Sequence, residues 1–332
     1  MKPLPPEITL LIETYQRAQI KLIDIIANTE AKRNSTVYRN KILTSVNAEL
    51  KTLDKFAAEW VAKEIPISYK GGINEAYQAY RKANIDVAKV AVSQKVLKNL
   101  VDNATGQLLD ANNFIGRRIS DDLRKVGLEA IAQKVSMGDT VKMAKANLLQ
   151  RMTDKGITTI RDKAGREIKL DAYASLVART STREATNTGT LQANEDIGND
   201  LVQISQHFSS CPICSVYEGR VYSISGKDKR YPKLDEAFSG GYSAIHPNCT
   251  HNVTSYFEEF DDKADELRKE SNKPFEIDPK NKASLDAYNK DQKIKADRRA
   301  DRNSWEKAKL EDPENTAKTF SGYRSQQRSK HS

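Results

Sequence analysis

Seven residues of this chain, three Cys and four His, can offer sulfur or imidazole to a soft metal, and six of them fall between His207 and His251. An even scatter over the 332 residues would leave about one there. Cys211-Pro-Ile-Cys214 is a C-x2-C knuckle and His246-Pro-Asn-Cys249 an H-x2-C turn. A two-residue spacer lets one tight turn aim both of its donors at a single ion. Three thiolates and an imidazole make the Cys3His tetrahedron of a closed structural zinc site, one zinc per chain. Such an ion would join two distant loops whose connection, rich in Gly219, Gly226, Gly240 and Gly241, holds little apolar material of its own. His251 and His207 are the alternative fourth ligands, and His251 can replace His246. The competing reading has Cys211 and Cys214 as an incidental or redox pair and His246 packed against Tyr242 or Tyr256. An odd number of cysteines argues against a closed disulfide framework and for a reducing compartment.

Around this cluster the chain reads as mostly α. Ile8, Leu11, Ile12, Tyr15, Leu22, Ile23 and Ile26 recur at helical spacing. Tyr38, Ile42, Val46, Leu50, Leu53, Phe56 and Trp60 continue a second stripe from an Asn34 or Ser35 cap, and Pro66 predicts its stop. Helix is expected again over 73–100, with a break from Asn103 to Gly106, then over 107–135, and from an Asp139 cap to Gly156. Ile157 to Ile160 and Ile168 to Leu170, β-branched runs around a turn-rich segment, predict a β-hairpin. A helix over 171–196 follows, then strands at Leu201 to Ile204 and Arg220 to Ile224 that flank the knuckle. The domains expected are therefore an α-helical region at 1–156, a small zinc-clipped α+β domain at 157–260, and a charged extension at 261–332.

Hydrophobic residues are 38% of the chain, charged residues 30%, and mean hydropathy is −0.68. This is poorer in core material than a compact enzyme of the same length. Segment 262–332 carries 18 Lys/Arg against 14 Asp/Glu with few apolar anchors, which predicts either a long solvated helix or a tail ordered by a partner. The formal net charge of +9 permits contact with nucleic acid without requiring it. No apolar run approaches the roughly 18 residues of a membrane span, and the first residues lack a signal peptide's basic and apolar regions, so synthesis in the cytoplasm is expected.

Signatures of common catalysis are missing: GxxxxGK[ST], a strand-to-helix GxGxxG, HExxH and GxSxG do not occur. Glu218 or Asp235 could polarise a water, yet a Cys3His site leaves no open position on the metal. Arg179, Thr180 and Arg183, on neighbouring helical turns, can hold phosphate or form a solvated face.

The order LVARTSTREATNTGTLQANEDIG, strand, CPIC, YEGRVYSISG, Tyr231-Pro232, a Gly-rich loop and HPNCTH resembles the minor capsid, or head-morphogenesis, proteins of tailed bacteriophages, nearest to the phage Mu head-morphogenesis domain. The likeness covers about 170–260. The family's Arg-Thr helix motif falls on Arg179 and Thr180, its glycine before the aromatic strand on Gly219, and its Asn-Cys-x-His on Asn248, Cys249 and His251. Some members carry His at the position of Cys214 and another near His207.

The resemblance implies a virion structural protein and no enzyme: a minor head component near the portal, acting in head assembly, genome packaging or ejection, and made in the host cytoplasm. Its implied partners are portal or major capsid subunits, with DNA reached through the basic tail. The rival readings are a zinc-dependent nuclease or toxin-type enzyme, and a zinc-stabilised nucleic-acid-binding protein.

Overall fold

The computed structural model describes residues 4–29, 35–132, 159–161, 167–206, 211, 213–238, 245–246, 249–275, 282–312 and 315–330. Among them are seven α-helices and five short strands. The helix expected from Asp139 to Gly156 lies outside the described residues, as do His207, Tyr242 and Asn248. The chain forms two compact units. One comprises Met1–Ala57, Leu108–Ala174 and Lys290–Ser332; the other comprises Ala58–Gln107 and Ser175–Asn289.

The first unit is built on helical stripes. Helix α1 (Pro6–Asn28) starts on a proline, whose missing N–H costs nothing at a first turn, and buries Ile8, Leu11, Tyr15, Ala18, Leu22 and Ile26. Helix α2 (Ser35–Lys82) contributes Tyr38, Ile42, Val46, Leu50 and Leu53, and helix α3 (Gln94–Ala132) contributes Leu108, Ala111, Ile115, Ile119 and Leu123. Strands β1 (Thr159–Arg161) and β2 (Glu167–Lys169) form the expected hairpin, with Ile160 opposite Ile168.

The charged C-terminal segment is helical, as α6 (Lys282–Glu311) and α7 (Phe320–Lys330), and it is anchored. Trp305, 3% exposed, lies 5.9 Å from the Phe320 ring and donates its indole N–H to the Ala317 carbonyl at 2.8 Å. Arg302 pairs with the buried Asp171, which also accepts from Gln16 at 3.1 Å and Gln19 at 3.0 Å. Glu306 binds both Arg302 and Lys169. Residues 293–300 stay exposed, so the solvated-helix expectation describes that stretch and fails for the turns around Arg302 and Trp305.

Three expected boundaries are corrected, one of them the helix expected over 73–100, which is interrupted by non-helical chain at 83–93 between α2 and α3. α2 runs through Pro66, because the buried stripe that reaches Ile65 continues beyond it with Tyr69, Ile73 and Tyr80. The residue whose carbonyl loses its helical donor to Pro66 is Ala62, which is exposed, so water can satisfy it. The helix instead ends at Asn84, which adopts φ 56° while Asn84 N–H reaches the Arg81 carbonyl and Ile85 N–H the Tyr80 carbonyl, a Schellman cap with Asn in the left-handed position. The break expected from Asn103 to Gly106 is likewise helical within α3, where Leu100, Ala104 and Leu108 keep one face buried.

In the second unit, α4 (Leu170–Ile197) contributes its residues from Ser175 onward and packs closely on α2. A Cβ on Gly72 would collide with the Thr186 carbonyl, and one on Gly189 with the Tyr69 carbonyl. Thr190 Oγ1 donates to the Gly72 carbonyl at the same crossing (3.1 Å). Strand β3 (Leu201–Ile204) lies between β4 (Val221–Ser223) and β5 (Val253–Ser255), antiparallel to both. One face buries Val202, Ile204, Tyr222, Phe238 and Val253 with Leu191 of α4; the other buries Leu201, Val221, Tyr231 and Tyr256. Helix α5 (Ala264–Ser271) closes the β4 edge, the Ser271 hydroxyl accepting from Val221 N–H at 2.9 Å.

Candidate metal centre

The sheet delivers both halves of the Cys/His cluster. Leaving β3, the chain coils through the knuckle, with Ser215 N–H on the Cys211 carbonyl (3.0 Å) and Tyr217 N–H on the Cys214 carbonyl (2.9 Å). It re-enters the sheet at Gly219, whose φ of 71° favours glycine and whose N–H bonds the Ile204 carbonyl at 2.9 Å. In the second half Cys249 N–H bonds the His246 carbonyl at 3.0 Å, and the chain runs from Cys249 into β5. Tyr217 and Ile245, neighbours of Glu218 and His246, pack on the sheet core and fix the approach of the two loops.

The donors converge. His246 Nε2 lies 3.2 Å from Cys211 Sγ and 2.9 Å from Cys214 Sγ. Cys214 Sγ lies 3.7 Å from Cys249 Sγ, and Cys249 Sγ is 3.3 Å from His251 Nδ1. A tetrahedral ion with metal–sulfur bonds of about 2.3 Å has sulfur–sulfur edges of about 3.8 Å, so the Cys214–Cys249 spacing fits one ion. Two triplets, Cys211/Cys214/His246 and Cys214/Cys249/His251, have their ligand atoms within 4.8 Å of one another and share Cys214. The expected Cys211, Cys214, His246 and Cys249 are therefore together, with His251 beside them. Cysteine sulfur and imidazole are the donor chemistry of zinc and other thiophilic ions.

Burial divides the cluster. Cys214 is 1% exposed, Cys249 6% and His251 1%, whereas Cys211 and His246 are partly open. Hydrogen bonding from Cys214, then from His251, outweighs burial and holds the Cys249 thiol well below the usual range. Burial disfavours a charged His251, yet its bonds to Cys249 and Glu218 more than compensate and its pKa is raised.

Three residues around the donors have roles that spacing did not reveal. Glu218 Oε1 lies 2.5 Å from His251 Nε2 and so is committed to the imidazole. Arg183 donates to the Thr250 carbonyl (2.6 Å) and to Asn252 Oδ1, which corrects its reading as a phosphate-holding or solvated residue; burial lowers its pKa. Asn187, fully buried on α4, accepts Val253 N–H at 3.0 Å. Asp235 pairs with Lys233 at the surface, and Tyr256 bonds Asp261 at 3.0 Å.

The geometry defines a helical protein in which a sheet-borne Cys/His cluster can clasp two loops. Comparison with protein families identifies the class further: residues 10–330 match the family described as phage minor capsid protein 2, and the chain belongs to that family. Among curated proteins, a "Structural protein" of Lactococcus phage LL-H is 27% identical over 107 residues, spanning 30% of this chain and 29% of that relative. No solved structure matches. Both names denote phage structural proteins, and no helix among the described residues is long and apolar enough to cross a membrane.

Proposed function

We propose that this protein is a minor, low-copy component of the phage head, seated near the portal and acting in head assembly, genome packaging or ejection as a binding and shaping part without turnover. Membership of the minor capsid family over residues 10–330 is the observation that carries this reading. The buried stripes of the helical region at 1–156 would hold a scaffold that docks on portal or major capsid subunits. The module at 157–260 would be clipped by one zinc per chain, held by Cys211, Cys214 and Cys249 with one imidazole from the His246/His251 pair. Four protein donors leave no coordination position for an activated water, which favours a structural ion over a nuclease centre.

DNA contact through the extension at 261–332 is part of this proposal. Lys293, Lys295, Arg298 and Arg299 lie on the exposed stretch of α6, whereas Arg302 is already committed to Asp171 and Glu306. Peptide mass spectrometry of gradient-purified virions tests the placement: the protein should be recovered with the particles. Its recovery only in the soluble lysate would refute it.

A further inference from the structure

His251 is built into the second unit more firmly than its place as a spare donor suggests. The backbone around it is tied on both sides: Arg183 holds the Thr250 carbonyl, Ser205 exchanges bonds with both backbone groups of Asn252 at 2.8 and 2.9 Å, and Asn187 holds Val253 N–H. Its ring is fully buried, with Nε2 on the Glu218 carboxylate and Nδ1 turned to Cys249 Sγ. Glu218 is fixed in turn, because its N–H bonds the Cys214 carbonyl at 3.2 Å and Tyr217 beside it packs on the sheet core. A carboxylate that accepts from one ring nitrogen leaves the other as a lone-pair donor, the arrangement that orients metal-bound imidazoles. His246 sits on a turn and is partly open to solvent.

We propose that His251, through Nδ1, is the anchored imidazole ligand of the metal, that Glu218 is its positioning residue, and that His246 is the exchangeable donor at the solvent edge of the cluster. The assignment rests on the reading of the cluster as a metal site. It makes Cys214, Cys249 and His251 the fixed inner donors and leaves Cys211 and His246 as the outer pair through which an ion enters.

The full-length chain, stripped and reloaded with Zn²⁺ or Co²⁺ against a chromophoric chelator, tests the assignment. Glu218→Gln should weaken metal affinity about 10–100-fold, with Glu218→Asp recovering part of the loss. His251→Ala should lose stoichiometric metal, whereas His246→Ala should keep it. The Co²⁺ spectrum of His246→Ala should retain its thiolate charge-transfer intensity, and that of Glu218→Gln should shift in its ligand-field bands at unchanged far-ultraviolet circular dichroism. Wild-type protein that takes up neither ion overturns the metal reading itself. Wild type that loads normally, with Glu218→Gln and His251→Ala loading equally well and His246→Ala failing, overturns only this assignment and makes His246 the ligand.

Discussion

At the scale of single residues, each donor of the cluster has its own consequence. Cys214 belongs to both triplets, so Cys214→Ser should lose stoichiometric zinc in metal analysis of the purified chain and lower the melting temperature, since metal binding free energy is also folding free energy. Retention of one zinc by that variant would contradict the clasp. Asp200 provides a separate pH dependence. Burial raises its pKa, but the Ser223 hydroxyl and the Ser225 N–H outweigh that and leave the carboxyl below its ordinary range. Its contribution is complete above the unfolded value of about 3.9 and is lost as pH falls through the lower folded value. Acid titration of Asp200→Asn, followed by circular dichroism, should therefore lack the part of the destabilisation that wild type shows below about pH 4. The donors were legible in the sequence because two-residue spacing is local. Glu218 and Arg183 were not legible as partners of the 249–252 segment, because those contacts exist only after β3, β4 and β5 pair and α4 packs beside them.

Elements show where local rules yield to packing. Pro66 reads as a stop, yet the buried face from Ile65 to Tyr80 carries α2 past it; Pro66→Ala should restore a donor and stabilise the chain by up to about 3 kcal/mol in thermal unfolding. Gly72 and Gly189 carry the opposite message. Both sit against backbone of the facing helix, so alanine at either position should cost about 1–3 kcal/mol through overpacking, and a neutral result would contradict the close crossing of α2 and α4. The helical stripes and the hairpin were legible because their periodicities are local. The end at Asn84 was harder to see, since it depends on one non-glycine residue taking a left-handed conformation, whereas the end expected for α4 at 196 lies one residue from the observed Ile197. In α6, the exposed turn with Lys293, Lys295, Arg298 and Arg299 should give weak DNA retention that falls between about 50 and 200 mM salt. Replacing those four by Gln should abolish it without disturbing Trp305, and unchanged retention in a filter-binding assay would exclude this turn as the DNA contact.

For the whole molecule, membership of the minor capsid family marks a phage structural protein. The family match runs over residues 10–330 and so takes in the long helices and the charged C-terminal segment of this chain, well beyond the 170–260 stretch that carries the motifs. Those regions carried little specific signal on their own, because amphipathic stripes and mixed charge serve many folds. Quantitative mass spectrometry of purified virions, with the major coat protein as internal standard, tests the central claim most directly. The account predicts that this protein co-purifies with intact particles at a small fraction of the coat protein's copy number. Its absence from intact particles, with the protein abundant in the same infected-cell lysate, would contradict the account.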